Sequence, residues 1–300
     1  SWAGAYRIDS FRFDLMGHQP RAAMLDVQHA ANVAAGRTIP LLGEGWDFGE
    51  VANNARFVQA AQGELDGTGI ATFSDRARDA LRGGGCCDAG SDLIANQGLL
   101  NGLHAAPNAY GKGSREALLH AADLARAGLA GTLRAYRMEF ADGRIAALQD
   151  LDYKGQPAGY ASQPGEVVNY VENHDNPTLW DINALKLAQA TTAQERARVQ
   201  LLGAAFVAFS QGVAYFHAGM DVLRSKSLDR NSFDSGDAFN RLDWTYMDNG
   251  FGAGLPPKAD NGRDWALLKP VLRNPQAKPS PGEIAWMRDA FRDLLRIRAS

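Results

Sequence analysis

The chain has 300 residues and is 45% hydrophobic, enough apolar material for one large core or two modest ones, which excludes a disordered polypeptide. Lys and Arg total 31 against 34 Asp and Glu, a formal charge of -3, so no global field draws nucleic acid or an anionic membrane; a neutral or small polar substrate fits better. The longest apolar stretch, residues 201–209, sits inside an amphipathic pattern and falls short of the roughly twenty residues a membrane span needs.

The opening SWAGAYRIDSFRFD runs directly into strand-like sequence with neither a starting methionine nor a signal peptide, as expected of a piece of a longer chain. Residues 8–13 read as a short buried strand. A helix over 20–34 follows, closed by Gly36, and then a short apolar run over 38–42. Further strands are expected at 69–73, 167–171 and 213–216. Ser114 precedes an Ala/Leu-rich helix over 115–127. Thr192 and Glu195 form a capping box for a helix ending near Gln211. Ser280, Pro281 and Glu283 supply cap, first-turn proline and capping acid for a last helix with Ile284, Met287, Phe291 and Leu294 at helical spacing. Short strands alternating with amphipathic helices argue for an α/β fold with a parallel sheet. The stretches 82–110 and 224–274, rich in Gly, Asn, Asp and Pro, read as long functional or variable loops, and no second domain is required.

Three of these strands run into an acid: Asp14, Glu44, and Asp175 behind His174. An Asp after a strand often caps the next helix, and singly each acid would be read that way. Three at equivalent positions point instead to a shared pocket at the carboxyl ends of barrel strands. Arg12, two residues before Asp14 and so on the same side of its strand, would hold Asp14 ionised, as a nucleophile needs. Trp46, two residues after Glu44, is either an apolar wall or sugar platform or a core residue; an apolar surround would favour the protonated carboxyl that a general acid requires. Retaining glycoside hydrolysis uses two carboxyls about 5–5.5 Å apart, which acids on neighbouring strand tips can reach.

The strings FRFDLMGH, LLGEGWDFGEV and NYVENHDNPTLWD resemble the second, third and fourth conserved blocks of the α-amylase superfamily, glycoside hydrolase family 13. GEGWDFGEV, LDYKGQPAGYAS and YFHAGMDVLRSKSLDRNSFDSGD narrow the resemblance to pullulanase-type starch-debranching enzymes. It implies a partial (β/α)8 TIM barrel, about strands 4 to 8, with 1–300 as the C-terminal portion of the catalytic domain and the N-terminal strands and accessory β domains missing. It implies Asp14 as nucleophile, Glu44 as acid/base and Asp175 as the third essential acid. Arg12, His174 and Trp46 would bind the substrate around the cleaved bond, and Arg230 and Asp237 would bind glucosyl units further along. The expected substrate is a branched α-glucan cut at α-1,6 linkages, in a secreted or periplasmic, monomeric parent enzyme with no nucleic-acid or membrane partner.

The family's first block is absent, Pro177 stands where Gln or Glu is common, and Ala238 stands where Trp is usual, so the outer subsites depart from the family pattern. An open half barrel would expose a strand edge, and a poorly folded or inactive fragment is expected. The rival readings are an α-1,4-acting amylase, a branching enzyme, or an inert glucan-binding fragment. The clusters Gly83-Gly84-Gly85 and Gly111-x-Gly113-Ser114 follow no strand and do not read as phosphate loops. His18, His29, His104, His120 and His217 show no ligand spacing, so no cofactor and no catalytic metal is expected; the resemblance leaves room for a structural calcium. Adjacent Cys86 and Cys87 fit neither a disulfide framework nor zinc spacing and read as incidental.

Overall fold

The computed structural model describes residues 2–300, so Ser1 lies outside the described residues. The chain forms two compact units, one comprising residues 1–76, 126–169 and 210–214, the other residues 77–125, 170–209 and 215–300.

The first unit holds one parallel sheet of five strands, β1 (Phe11–Phe13), β2 (Leu41–Gly43), β3 (Ala71–Phe73), β4 (Val167–Asn169) and β5 (Val213–Ala214), in that spatial order. Arg12 pairs with Leu42, Leu42 with Ala71, Thr72 with Val167 and Val168 with Val213. Each strand lies inside or within a residue of its expected segment but is only two or three residues long. The opening residues, read as running straight into a strand, instead form a helical turn at Trp2–Ala5.

Helix α1 (Arg21–Ala35) connects β1 to β2 and ends at Gly36, whose φ of 66° needs a residue without a Cβ. Met24 and Ala31 of α1 are buried with Met16, Ile39, Leu41, Leu65 and Ile70 in the core of this unit, against which Phe11 and Phe13 pack. Two hairpins, Arg137–Glu139 with Ile145–Ala147 and Asp152–Tyr153 with Gln156–Pro157, lie in the long connection from β3 to β4.

The expectation of a partial (β/α)8 TIM barrel is corrected by this architecture. The chain is mostly helix and irregular structure, with one small parallel sheet whose outer strands, β1 and β5, do not pair with each other. A barrel needs strand, helix and strand in regular alternation and a sheet tilted to close. Here β2 passes to β3 through a 3-10 segment, Gly49–Asn54, and the β3–β4 connection carries helices α2 (Asp75–Arg82) and α3 (Arg115–Leu129) as well as both hairpins. Apolar runs report that a segment is strand-like but not how a sheet of such short strands is completed.

The second unit is helical. Helices α4 (Leu179–Lys186), α5 (Ala193–Phe209), α6 (Trp265–Leu272) and α7 (Pro281–Ala299) carry it. Helix α4 is buried along its whole length, with Thr178 capping it by accepting the Asp181 N–H and the Trp180 indole N–H donating to Ala277 O at 3.1 Å. Gly203 lets α5 approach α4: a Cβ there would lie 2.7 Å from Leu179 Cδ2. Ile284, Met287 and Phe291 form the buried stripe of α7, worth about 1.5–3 kcal/mol per side chain. The Phe291 ring meets Phe216 edge-on at 5.0 Å. Helix α6 lies inside the stretch expected to be irregular, where Pro270 obscures its pattern.

Candidate active site

Asp14 and Glu44 follow the ends of adjacent strands, β1 and β2, whose register places Phe13 beside Gly43. The parallel pairing continues one step further, with the Glu44 N–H donating to Phe13 O at 3.1 Å. Past the strand the chain turns through Leu15, in the left-handed region at φ 45°, and returns Gly17 N–H to Glu44 O at 2.7 Å. The turn also brings the Leu15 N–H to Glu44 Oε2 at 2.8 Å.

Arg12 joins the two acids. Its Nη1 lies 2.6 Å from Asp14 Oδ1 and its Nη2 lies 3.2 Å from Glu44 Oε1, with the guanidinium 5.8 Å from the centre of the Phe73 ring. The two carboxylates differ in surroundings. The Asp14 side chain is 70% exposed and open to a ligand, whereas that of Glu44 is 8% exposed. The apolar surround suggested for Glu44 is only part of what forms: its side chain is buried, but the Arg12 guanidinium faces Oε1 and the Leu15 N–H donates to Oε2. Trp46 is half-buried and neither a full core residue nor a free platform, and its backbone packs against Gly17.

In the second unit, residues 172–179 form the loop that displays His174 and Asp175. Both side chains are about half exposed, and His174 Nε2 lies 3.6 Å from Asp175 Oδ2. The Asp175 N–H donates to Asn173 Oδ1 at 2.9 Å, and Lys226 Nζ donates to His174 O at 2.7 Å. The next residues, Asn176 and Pro177, line a small open cleft together with Arg82, Lys186 and Arg230. Arg230 is fixed there by donating to Asp88 O at 3.3 Å and Cys86 O at 3.4 Å. Asp237 opens a single helical turn, Asp237–Asn240, is exposed, and is not among the residues lining that cleft.

Cys86 and Cys87, read as incidental, are joined to each other by a disulfide in the Gly-rich loop. Neighbouring cysteines carry no framework signal in sequence, so only the folded loop reveals the bond. Sequence reasoning also missed Glu172, His217 and Arg224. Glu172 Oε2 accepts the Leu179 N–H, Glu172 Oε1 lies 3.3 Å from His217 Nδ1, and Arg224 Nη1 lies 3.2 Å from His217 Nε2. The acid two residues before His174 was the available signal. Among the described residues, no group of three His, Cys, Asp or Glu side chains is arranged to hold a metal ion.

Residues 246–300 match the family of α-1,6-glucosidases, pullulanase-type, C-terminal. Over its whole length the chain is similar to part of several pullulanases. It is 43% identical over 312 residues to pullulanase 1, chloroplastic, of Arabidopsis thaliana, covering 100% of this chain and 32% of that protein. It is 42% identical over 299 residues to the pullulanase of Klebsiella aerogenes, covering 100% of this chain and 27% of the relative. The maltotriose complex of PulA from Klebsiella pneumoniae superimposes with a TM-score of 0.95 at 41% identity, covering 99% of this chain and 32% of that structure. The chain thus spans about a third or less of the length of these relatives. Its fold is that of the matched part of the Klebsiella pneumoniae structure, and the sequence expectation of the remainder of a barrel is replaced by that fold.

Proposed function

We propose that the protein bearing this chain hydrolyses α-1,6-glucosidic branch linkages with retention of anomeric configuration, in glucans of the pullulan, starch or glycogen type. The observation that carries the reading is the single guanidinium of Arg12 touching both Asp14 and Glu44 at the ends of adjacent strands. One arginine in contact with two acids, one exposed and one buried, sets up the division of labour that double displacement needs.

In the first step the Asp14 carboxylate attacks the anomeric carbon while the Glu44 carboxylic acid gives its proton to the departing glycosidic oxygen. The C–O bond breaks and a glucosyl ester forms on Asp14. In the second step the Glu44 carboxylate takes a proton from water, whose oxygen displaces Asp14 from the same carbon. Asp175 is the third acid, gripping sugar hydroxyls as positive charge develops on the ring. Arg12 and His174 bind the glucosyl unit being cleaved, Trp46 faces the leaving chain, and Arg230 and Asp237 contact more distant units. The chemistry consumes only water and needs no cofactor. Support for the linkage comes from the relatives, which bear the name pullulanase, and from the maltotriose held by the Klebsiella pneumoniae structure.

Incubation of the full-length protein with pullulan and, separately, with amylose tests this reading. Linear maltotriose from pullulan, released first as the α-anomer by proton NMR, is the expected result. Attack on amylose alone would overturn the linkage, and a β-anomer would overturn the mechanism.

A further inference from the structure

Two buried polar atoms in the second unit, Glu172 Oε1 and His217 Nδ1, lie 3.3 Å apart, and neither has a hydrogen-bond partner among the described residues. Burying either without a partner would be costly, so the pair is a contact the fold requires. The tautomer of His217 follows from the other ring nitrogen. Arg224 Nη1 lies 3.2 Å from His217 Nε2, and a guanidinium has no lone pair to offer, so Nε2 accepts. The proton of the imidazole then sits on Nδ1, the nitrogen 3.3 Å from Glu172 Oε1. Arg224 is itself anchored through donation to Ala218 O at 3.2 Å and Asn240 O at 3.0 Å.

The far oxygen of Glu172 completes the relay. Glu172 Oε2 accepts the N–H of Leu179, the first residue of α4, so one carboxylate ties the beginning of the 172–179 loop to its end. His174 and Asp175 stand between those two ties. Inside the loop further restraints are the Asn173 side chain on the Asp175 N–H, Lys226 on His174 O, and Arg82 Nη2 donating to Pro177 O at 2.8 Å.

We propose that Glu172 and His217 are positioning residues for Asp175: Arg224 fixes the tautomer of His217, His217 aims the Glu172 carboxylate, and Glu172 closes the loop that presents the acid. The proposal rests on the reading of Asp175 as an essential acid. It assigns to His217 a role that a bulky apolar filler of the same site would not perform.

Three variants of the full-length protein, assayed on pullulan, separate the two levels. D175N is expected to abolish turnover. H217L, which keeps bulk but neither donates nor accepts, is expected to lower kcat about 10–100-fold with KM changed less than about threefold, as for other supporting hydrogen bonds behind a reacting group. H217Q can still donate to Glu172 and accept from Arg224, and is expected to recover most of that loss. H217L with wild-type kcat beside an inactive D175N overturns the positioning role, as does H217Q no better than H217L. Wild-type turnover by D175N overturns the reading of Asp175 and the proposal with it. A measurement on the unsubstituted protein covers the case in which H217L does not fold: the ¹⁵N shifts of His217 should report a protonated Nδ1 and a bare Nε2. A protonated Nε2 overturns the relay.

Discussion

A Cβ on Gly17 would lie 2.1 Å from the carbonyl oxygen of Trp46, in the segment that also receives the Gly17 N–H on Glu44 O. The atom that would be struck is backbone, so no rotamer change relieves it. Gly17→Ala is therefore expected to push residues 44–46 away from β1, costing about 1–3 kcal/mol as overpacking and lowering kcat by moving Glu44. Gly165→Ala is the matched control, because a Cβ there meets nothing within 4 Å and Gly165 is not among the positive-φ glycines. Comparing unfolding midpoints and pullulan kcat of the two variants checks this. Equal behaviour of G17A and G165A would contradict it.

The fork geometry of Arg12 yields a second expectation. Nη1 serves Asp14 and Nη2 serves Glu44, whereas the single ammonium of a lysine can sit against only one carboxylate at a time. Arg12→Lys is expected to keep the charge yet lose about tenfold or more in kcat, and Arg12→Ala to lose more. Arg12→Ala also leaves the buried Glu44 carboxylate with only the Leu15 N–H, a destabilisation of about 1–3 kcal/mol. Wild-type kcat in R12K would show that contact with both acids is dispensable.

These two sites show how much was legible in the chain. The adjacency of Asp14 and Glu44 was readable because period-2 geometry and consecutive strands fix it, and the ladder of Phe11 to Phe13 against Leu41 to Gly43 delivers it. The caps were readable for the same reason: Thr192 with Glu195 and Ser280 with Glu283 form the reciprocal hydrogen bonds their spacing implies. The closure of the sheet was not, since two- and three-residue strands leave no pattern that says where the sheet stops. Nor was the Glu172–His217–Arg224 relay, whose members lie up to 52 positions apart in numbering and meet only through tertiary packing. Local rules find elements and caps; buried polar pairs depend on what the fold leaves unsatisfied.

Asp181, on the buried helix α4, gives a pH dependence. Burial pushes its carboxyl up to about 6 from 3.8, against the Ser225 hydroxyl and the Lys226 N–H that donate to it. Between about pH 4 and 6 the folded state therefore holds more protons than the unfolded chain, and stability falls as pH rises through that window. Asp181→Asn removes the titration. The stability of wild type relative to D181N is expected to decline by up to about 3 kcal/mol from pH 4 to pH 6.5 and then level off, read from paired unfolding midpoints. A difference that stays constant over that range would contradict a raised Asp181.

Lys186 works in the opposite sense at higher pH. Burial, reinforced by the charge of Arg82, lowers its ammonium to about 7 from 10.5, with Asp88 and Asp79 opposing more weakly. The structure gives Nζ two hydrogen bonds to protein acceptors, Gly83 O at 2.7 Å and Arg82 O at 3.2 Å. A neutral amine has two N–H groups, so losing a proton costs neither bond and removes a charge that burial disfavours. The unfolded lysine keeps its proton up to about 10.5, so between about pH 7 and 10 the unfolded chain binds more protons and stability rises with pH. Lys186→Met abolishes that rise while leaving both carbonyls without their donor. Wild type is therefore expected to gain on K186M by a few kcal/mol as pH is raised from 6.5 to 9.5, with a slope approaching about 1.4 kcal/mol for each pH unit once the folded amine is neutral. Paired unfolding transitions across this range read the gain directly, and a flat difference would mean that Lys186 stays charged with its third proton satisfied.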